Sequence, residues 1–212
     1  MLNHGKSRCK PQTSNPKSQI KIVILHPDSK KENPLEATEY IQLKAFARMD
    51  GALLAVLWTA SFACYVLGLS QPGLGMVAMV LAIITPFFVA RRLKKFRDEG
   101  REGVISFRRA WAYTLLSFFY ASLLFAIVQF VYFSYLDHGY FFGTLSKSMM
   151  APENVQALGK DMMNMVVESL QAASKMRPID LSLNIMMSNL FIGLIASIPI
   201  AAVMKREAKI QL

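Results

Sequence analysis

The sequence predicts an all-α polytopic membrane protein: four transmembrane helices, with one extra amphipathic helix in a long outer loop. Apolar stretches at 51–69, 74–90, 111–136 and 181–204 contain no Asp, Glu, Lys, Arg or His. Each approaches the roughly 17 to 25 residues that a helix needs to cross a hydrocarbon core about 30 Å thick. Hydrophobic residues make up 53% of the chain, and its charge is confined to the segments between the stretches. Within spans one, two and four, small residues recur at every fourth position, which gives each of these helices a narrow face for close packing in lipid.

The charges set an orientation. Lys6, Arg8, Lys10, Lys17, Lys21, Lys30, Lys31, Lys44 and Arg48 precede the first span, and Arg91, Arg92, Lys94, Lys95, Arg97, Arg101, Arg108 and Arg109 follow the second. Lys205, Arg206 and Lys209 follow the fourth, so twenty of twenty-four basic residues fall on one side. The positive-inside rule makes that side, with both termini, cytoplasmic. The net charge of +10 is therefore read as topology and as affinity for anionic headgroups, with Arg91, Arg92, Lys94, Lys95, Arg97, Arg108 and Arg109 as the contacts. No nucleic-acid module accompanies the basic loop, and nucleic acid is not an expected partner.

Residues 1–33 combine Pro11, Pro16, Pro27, Ser and Lys with one short apolar run at 20–25, a composition expected to be disordered. This leader is too long and polar for a signal-peptide n-region, so the first span is expected to act as its own insertion signal. N-terminal sequencing of the natural protein would show whether the leader belongs to it. Residues 34–49 carry Leu35, Tyr40, Leu43, Phe46 and Ala47 at helical spacing. They are read either as a cytoplasmic amphipathic helix on the membrane face or as a water-exposed extension of span one. The membrane domain proper is expected over 50–207, and 208–212 form a cytoplasmic tail. Cys9 and Cys64 lie in the leader and in a span, and both are read as free thiols.

The small-residue series are Gly51, Ala55, Thr59 and Ala63 in span one, Ala78, Ala82, Pro86 and Ala90 in span two, and Asn189, Gly193, Ser197 and Ala201 in span four. They mark either the bundle interior or a self-association face. Pro86 and Pro199 each remove a backbone donor inside a span, where kinks are expected. Among intramembrane polar residues, Gln129, Asn184, Ser188 and Asn189 form a candidate patch near the outer end, serving as interhelical hydrogen bonds or as a small ligand site.

The outer segment, 137–180, opens beside an aromatic belt of Tyr132, Phe133, Tyr135, Tyr140, Phe141 and Phe142. Pro152 and Glu153 suit a helix start, and Lys175 and Arg177 before Pro178 suit its end. Val155, Leu158, Met162, Met165, Val166 and Leu170 recur between them, which predicts one amphipathic helix. Eight of thirteen methionines lie between Met149 and Met187, a set soft enough for Cu(I), but no His or Cys accompanies them and packing is the preferred reading.

The spans hold no acid, base or metal-ligand pair from which proton relays or intramembrane active sites are built. A non-enzyme without cofactor or metal is expected. Asp137, His138 and Asp180, at the outer boundary, are the only candidates for chemistry on lipid-linked substrates.

The layout also resembles a known family. Lys-Ala-Phe-Ala-Arg at 44–48, Phe-Arg-Asp-Glu-Gly at 96–100, Ile-Ser-Phe at 105–107, Tyr-Leu-Asp-His-Gly at 135–139 and the short basic tail are its marks. Together they resemble the uncharacterised four-span membrane proteins of the DUF4199 type over about Leu43 to Glu207. The resemblance implies four spans in the inner membrane of Bacteroides-like bacteria, and it brings no substrate or catalytic residues. The expected function is a non-enzymatic accessory or scaffold subunit of an envelope process, with a protein partner or a second copy of the chain. The alternative is a passive or partner-energised small-molecule transporter or lipid-handling protein, with Gln129, Asn184, Ser188 and Asn189 lining the path.

Overall fold

The computed structural model describes residues 34–206. The expected disordered leader, the 208–212 tail and Cys9 lie outside the described residues. Contacts divide the chain into Met1–Thr38 and Glu39–Leu212. The described part of the first unit is the opening of a helix, and the second unit holds the membrane domain.

Among the described residues seven α-helices follow in order: α1 Pro34–Gly68, α2 Pro72–Gly100, α3 Phe107–Val131, α4 Tyr140–Met149, α5 Pro152–Leu158, α6 Lys160–Ser174 and α7 Pro178–Met204. A π-helical turn, Tyr132–Leu136, prolongs α3. No strand occurs among the described residues. Four of the helices are long and apolar enough to cross a membrane, over Glu39–Gly68, Gly73–Gly100, Phe107–Leu136 and Pro178–Met204. The chain is an all-α, multi-pass membrane protein.

The helices outrun the apolar stretches. Residues 34–49 join span one in a single helix, and Arg91–Gly100 extend α2 beyond its apolar part. Arg and Lys are good helix formers, so charge marks where lipid ends rather than where the helix ends. Proline opens α2, α5 and α7 at positions where its missing N–H would have had no intrahelical partner. α2 and α7 both run through their internal prolines, Pro86 and Pro199.

α3 is the most buried span, and it packs along α7. The small-residue stripes explain how closely. A Cβ on Gly193 would lie 2.8 Å from the Cβ of Phe118, and one on Gly51 would lie 2.7 Å from the Cβ of Tyr120 and 2.8 Å from the carbonyl oxygen of Ser117. Gly193, Ser197 and Ala201 are buried, as are Gly51 and Ala55, so of the two uses read for the stripes these parts serve the bundle interior. Ala63 and Ala82 are exposed.

The two ends of the bundle differ. At the basic end a dense core gathers Leu43, Ala47, Leu54, Leu93, Phe96, Ile105, Tyr113 and Ala201. Phe96 stacks on Tyr113 with ring centroids 4.8 Å apart. Ile105 and Arg206 exchange backbone hydrogen bonds at 2.8 and 3.0 Å, which ties the α2–α3 connection to the end of α7. The opposite end is looser and is capped by α4, α5 and α6.

That cap corrects the expectation of one amphipathic helix over 152–175. That stretch forms two helices, α5 and α6, preceded by α4, and the predicted helix is broken at Gly159, whose φ of 84° and ψ of 150° are open only to glycine. Hydrophobic periodicity continues across the break, which is why the sequence pattern reads as one helix.

Candidate functional site

The spans are not free of charge. Asp50, one residue before the first apolar stretch, is 3% exposed inside the bundle. Arg92 Nε of α2 donates to its Oδ1 at 2.6 Å, and the Tyr113 hydroxyl of α3 donates to Oδ2. Three helices therefore meet on one carboxylate. The pairing is complete, with one carboxylate oxygen held by a guanidinium and the other by a phenol, which gives the cluster a structural role. Sequence reasoning missed it because Asp50 and Arg92 each sit just outside a charge-free window. The available signal was one acid and one base at the same depth on adjoining helices.

The other basic residues are partly engaged as well. Arg109 and Arg101 pair with Glu39 at 2.6 and 3.2 Å. Arg97 pairs with Asp98 at 2.8 Å and donates to the carbonyl of Met204 at 3.2 Å. Lys95 lies 3.8 Å from Glu99, both exposed. Among the described residues, Arg91, Lys94 and Arg108 make no hydrogen bond or ion pair and are exposed. These three, with Lys95, are the members of the predicted lipid-contact set that remain open to headgroups.

In the looser half of the bundle α1, α2, α3 and α7 enclose an open cleft of about 960 Å³. Its walls are mostly apolar and aromatic, with Trp58 and Phe62 from α1, Met79 and Pro86 from α2, Phe125 from α3 and Ile192 from α7. Trp58 Nε1 donates to Thr85 Oγ1 at 3.2 Å across the α1–α2 side. Phe62 packs edge-on against Phe125 and Tyr132, with centroids 5.8 and 5.1 Å apart.

Three of the four predicted patch residues, Gln129, Asn184 and Asn189, line this cleft. Ser188 does not. It borders a separate apolar groove between α3 and α7, and its hydroxyl donates to the Asn184 carbonyl at 3.0 Å. The helical twist explains the split, because adjacent positions point about 100° apart. Gln129 is 3% exposed, and its Oε1 is buried with no hydrogen-bond partner. Interhelical hydrogen bonding, one of the two roles read for this patch, is not what that oxygen does here.

Above the cleft lies a second cavity of about 620 Å³ between the α3–α4 turn and α6–α7. Phe133, Phe142, Ala173 and Leu181 line both cavities. Asp137, 5% exposed, lies at this upper cavity and organises the turn. Its carboxylate accepts from the Tyr132 hydroxyl at 2.9 Å and from the backbone N–H groups of Phe141 at 2.9 Å and Gly139 at 3.1 Å. His138 is exposed, and Asp180 is held by Arg177 at 2.6 Å. The three boundary candidates for chemistry thus do not share one site.

Among the described residues, no group of three His, Cys, Asp or Glu side chains is placed to hold a metal ion. The family model described as a protein of unknown function, DUF4199, matches residues 50–206. Neither a curated protein nor a solved structure matches the chain.

Proposed function

The chain belongs to the DUF4199 family, whose description assigns no activity, and from that premise we propose a non-enzymatic lipid-handling protein that holds one apolar or amphipathic molecule in the α1–α2–α3–α7 cleft. The observation that carries this reading is the unpartnered Gln129 Oε1 in the wall of a mostly apolar cavity. A buried acceptor left without a donor costs about 1–3 kcal/mol, and a ligand hydroxyl or amide would remove that cost. The cleft volume lies within the roughly 300–1,000 Å³ common for small-molecule sites.

The setting we propose is a bacterial inner membrane with both termini cytoplasmic. The gathering of Arg91, Lys94, Lys95 and Arg108 at one end of the bundle supports it, by the positive-inside rule. Anionic headgroups on that side are the natural counter-charges. A reporter fused after Leu212 should be active in the cytoplasm, and an external signal would reverse the orientation.

A cysteine at position 189, in a background lacking Cys9 and Cys64, tests the cleft. Maleimide labelling of Asn189→Cys should be slowed by added monoacylglycerol, whereas labelling of Phe191→Cys, which is exposed outside the cleft, should be unaffected. Equal rates, unchanged by the amphiphile, would overturn the proposal.

A second reading, as an accessory subunit, draws on α2. Its outward residues Met76, Val80, Ile83 and Phe87 are exposed, and it is the least buried of the spans. A partner helix seated there should co-purify stoichiometrically in mild detergent, and recovery of the chain alone with bound lipid would favour the first reading.

A further inference from the structure

The geometry points to an uncharged, hydrogen-bonding headgroup on the ligand: the upper cavity between α4 and α6 receives the head of an amphiphile whose chains fill the cleft below. This rests on the cleft reading of the preceding section. The first ground is continuity, because the shared wall residues Phe133, Phe142, Ala173 and Leu181 stack the two cavities along one path.

Polarity supplies the second ground. The cleft surface is mostly apolar despite Gln129, Asn184 and Asn189, whereas the smaller upper cavity is about evenly polar and adds Ser146, Gln171 and Ser174 to its aromatic wall. Ser174 spends its proton on the Gln171 carbonyl at 2.8 Å and retains acceptor capacity. The Ser146 hydroxyl and the Gln171 carboxamide make no hydrogen bond among the described residues, so both can meet hydroxyl or amide groups of a ligand.

Charge supplies the third ground. Among the described residues neither cavity is lined by Lys, Arg or His, and the one carboxylate at the upper cavity is that of Asp137. A phosphate or carboxylate placed there would be desolvated beside a fixed negative charge with no cation to offset it. Asp137 already has three donors, which removes the main incentive for a cationic head. Below, the Gln129 oxygen needs a donor, which a free glycerol hydroxyl or an amide N–H can provide.

The test compares two lipids with identical chains, diacylglycerol and phosphatidylglycerol, presented in equal amounts to the purified full chain in detergent and read by native mass spectrometry. Diacylglycerol should be retained over phosphatidylglycerol by about fivefold or more, the worth of one net hydrogen bond. Ser146→Leu with Gln171→Leu should bring the two toward equality without lowering total bound lipid. Both positions are on helices with side chains at least partly exposed, and a melting temperature near that of the parent would show that the variant folds. Should it fail to fold, the preference of the unaltered chain still decides. Equal retention or preference for phosphatidylglycerol overturns the headgroup inference and leaves the cleft standing. Retention of neither lipid by folded protein overturns the cleft reading, and this inference with it.

Discussion

Asp50 and Arg92 join α1 to α2 at the basic end, and the contact is lopsided: the carboxylate side chain is 4% exposed, while the guanidinium side chain is 28% exposed. Removing one member therefore has unequal consequences. Arg92→Ala strands a buried carboxylate beside Tyr113, whereas Asp50→Asn leaves a guanidinium that can turn toward water and keeps an acceptor for the phenol. Arg92→Ala should be the more destabilising, by about 3 kcal/mol at most given its partial exposure, against about 1 kcal/mol for Asp50→Asn. Melting in detergent followed by size-exclusion checks the order, and the reverse order would mean that the ion pair is not what holds these helices.

The close helix crossings make a graded prediction. A methyl at Gly51 meets the Ser117 carbonyl oxygen and the Tyr120 Cβ, neither of which can move without its helix, while at Gly193 it meets the Phe118 Cβ and ring. At Gly73 it meets nothing within 4 Å. Alanine should thus cost most at 51, less at 193 and nothing measurable at 73, within the roughly 1–3 kcal/mol range for overpacking. Loss of stability at Gly73→Ala equal to that at Gly51→Ala would point to helix flexibility rather than contact.

Gln129→Leu separates a ligand site from a structural bond. If the carboxamide were interhelical glue, its loss would lower stability by about 0.6–2 kcal/mol. Because Oε1 is buried and unpartnered, replacement by an apolar side chain of similar size should leave melting unchanged or raise it in delipidated protein. Retention of added amphiphile should fall at the same time. A marked drop in melting temperature without lipid would count against the site.

Much of this was legible in the sequence, and the misses share a cause. Apolar length and charge placement show the four spans because lipid penalises any exception over that whole length. The stripes through Gly51 and Gly193 were legible because close approach tolerates no side chain. Asp50 was not, since its meaning lies in Arg92 and Tyr113, which are distant in sequence. Ser188 was grouped with Asn184 because of their one-turn spacing, yet helix rotation assigns them to different cavities. Ser146 and Gln171 carry no signal at all until α4 and α6 fold against each other.

Asp137 anchors the cap through one side chain, and this gives a local rather than global prediction. Its carboxylate accepts two backbone N–H groups at the start of α4, where Gly139 adopts a φ of 82°, and the Tyr132 hydroxyl from the π-helical turn. Asp137→Ala should cost about 1–2 kcal/mol of cap stability, as loss of a helix-capping side chain does. Hydrogen exchange in α4 should accelerate several-fold while the α3–α7 interface keeps its protection. Uniform acceleration through all spans would show that the cap and the bundle unfold as one unit.

Gly159 tests whether the break between α5 and α6 is built into the cap. Its φ of 84° with ψ of 150° is closed to alanine at a cost of about 1–3 kcal/mol. Gly159→Ala must either bear that strain or let α5 and α6 fuse into the single helix that the hydrophobic periodicity favours. Fusion would redirect α6 and with it Gln171 and Ala173, which line the upper cavity. Amide exchange at 158–161 should then slow to helical values, and selectivity between diacylglycerol and phosphatidylglycerol should fall with it. Slowed exchange with unchanged selectivity would detach the headgroup site from the geometry of α6.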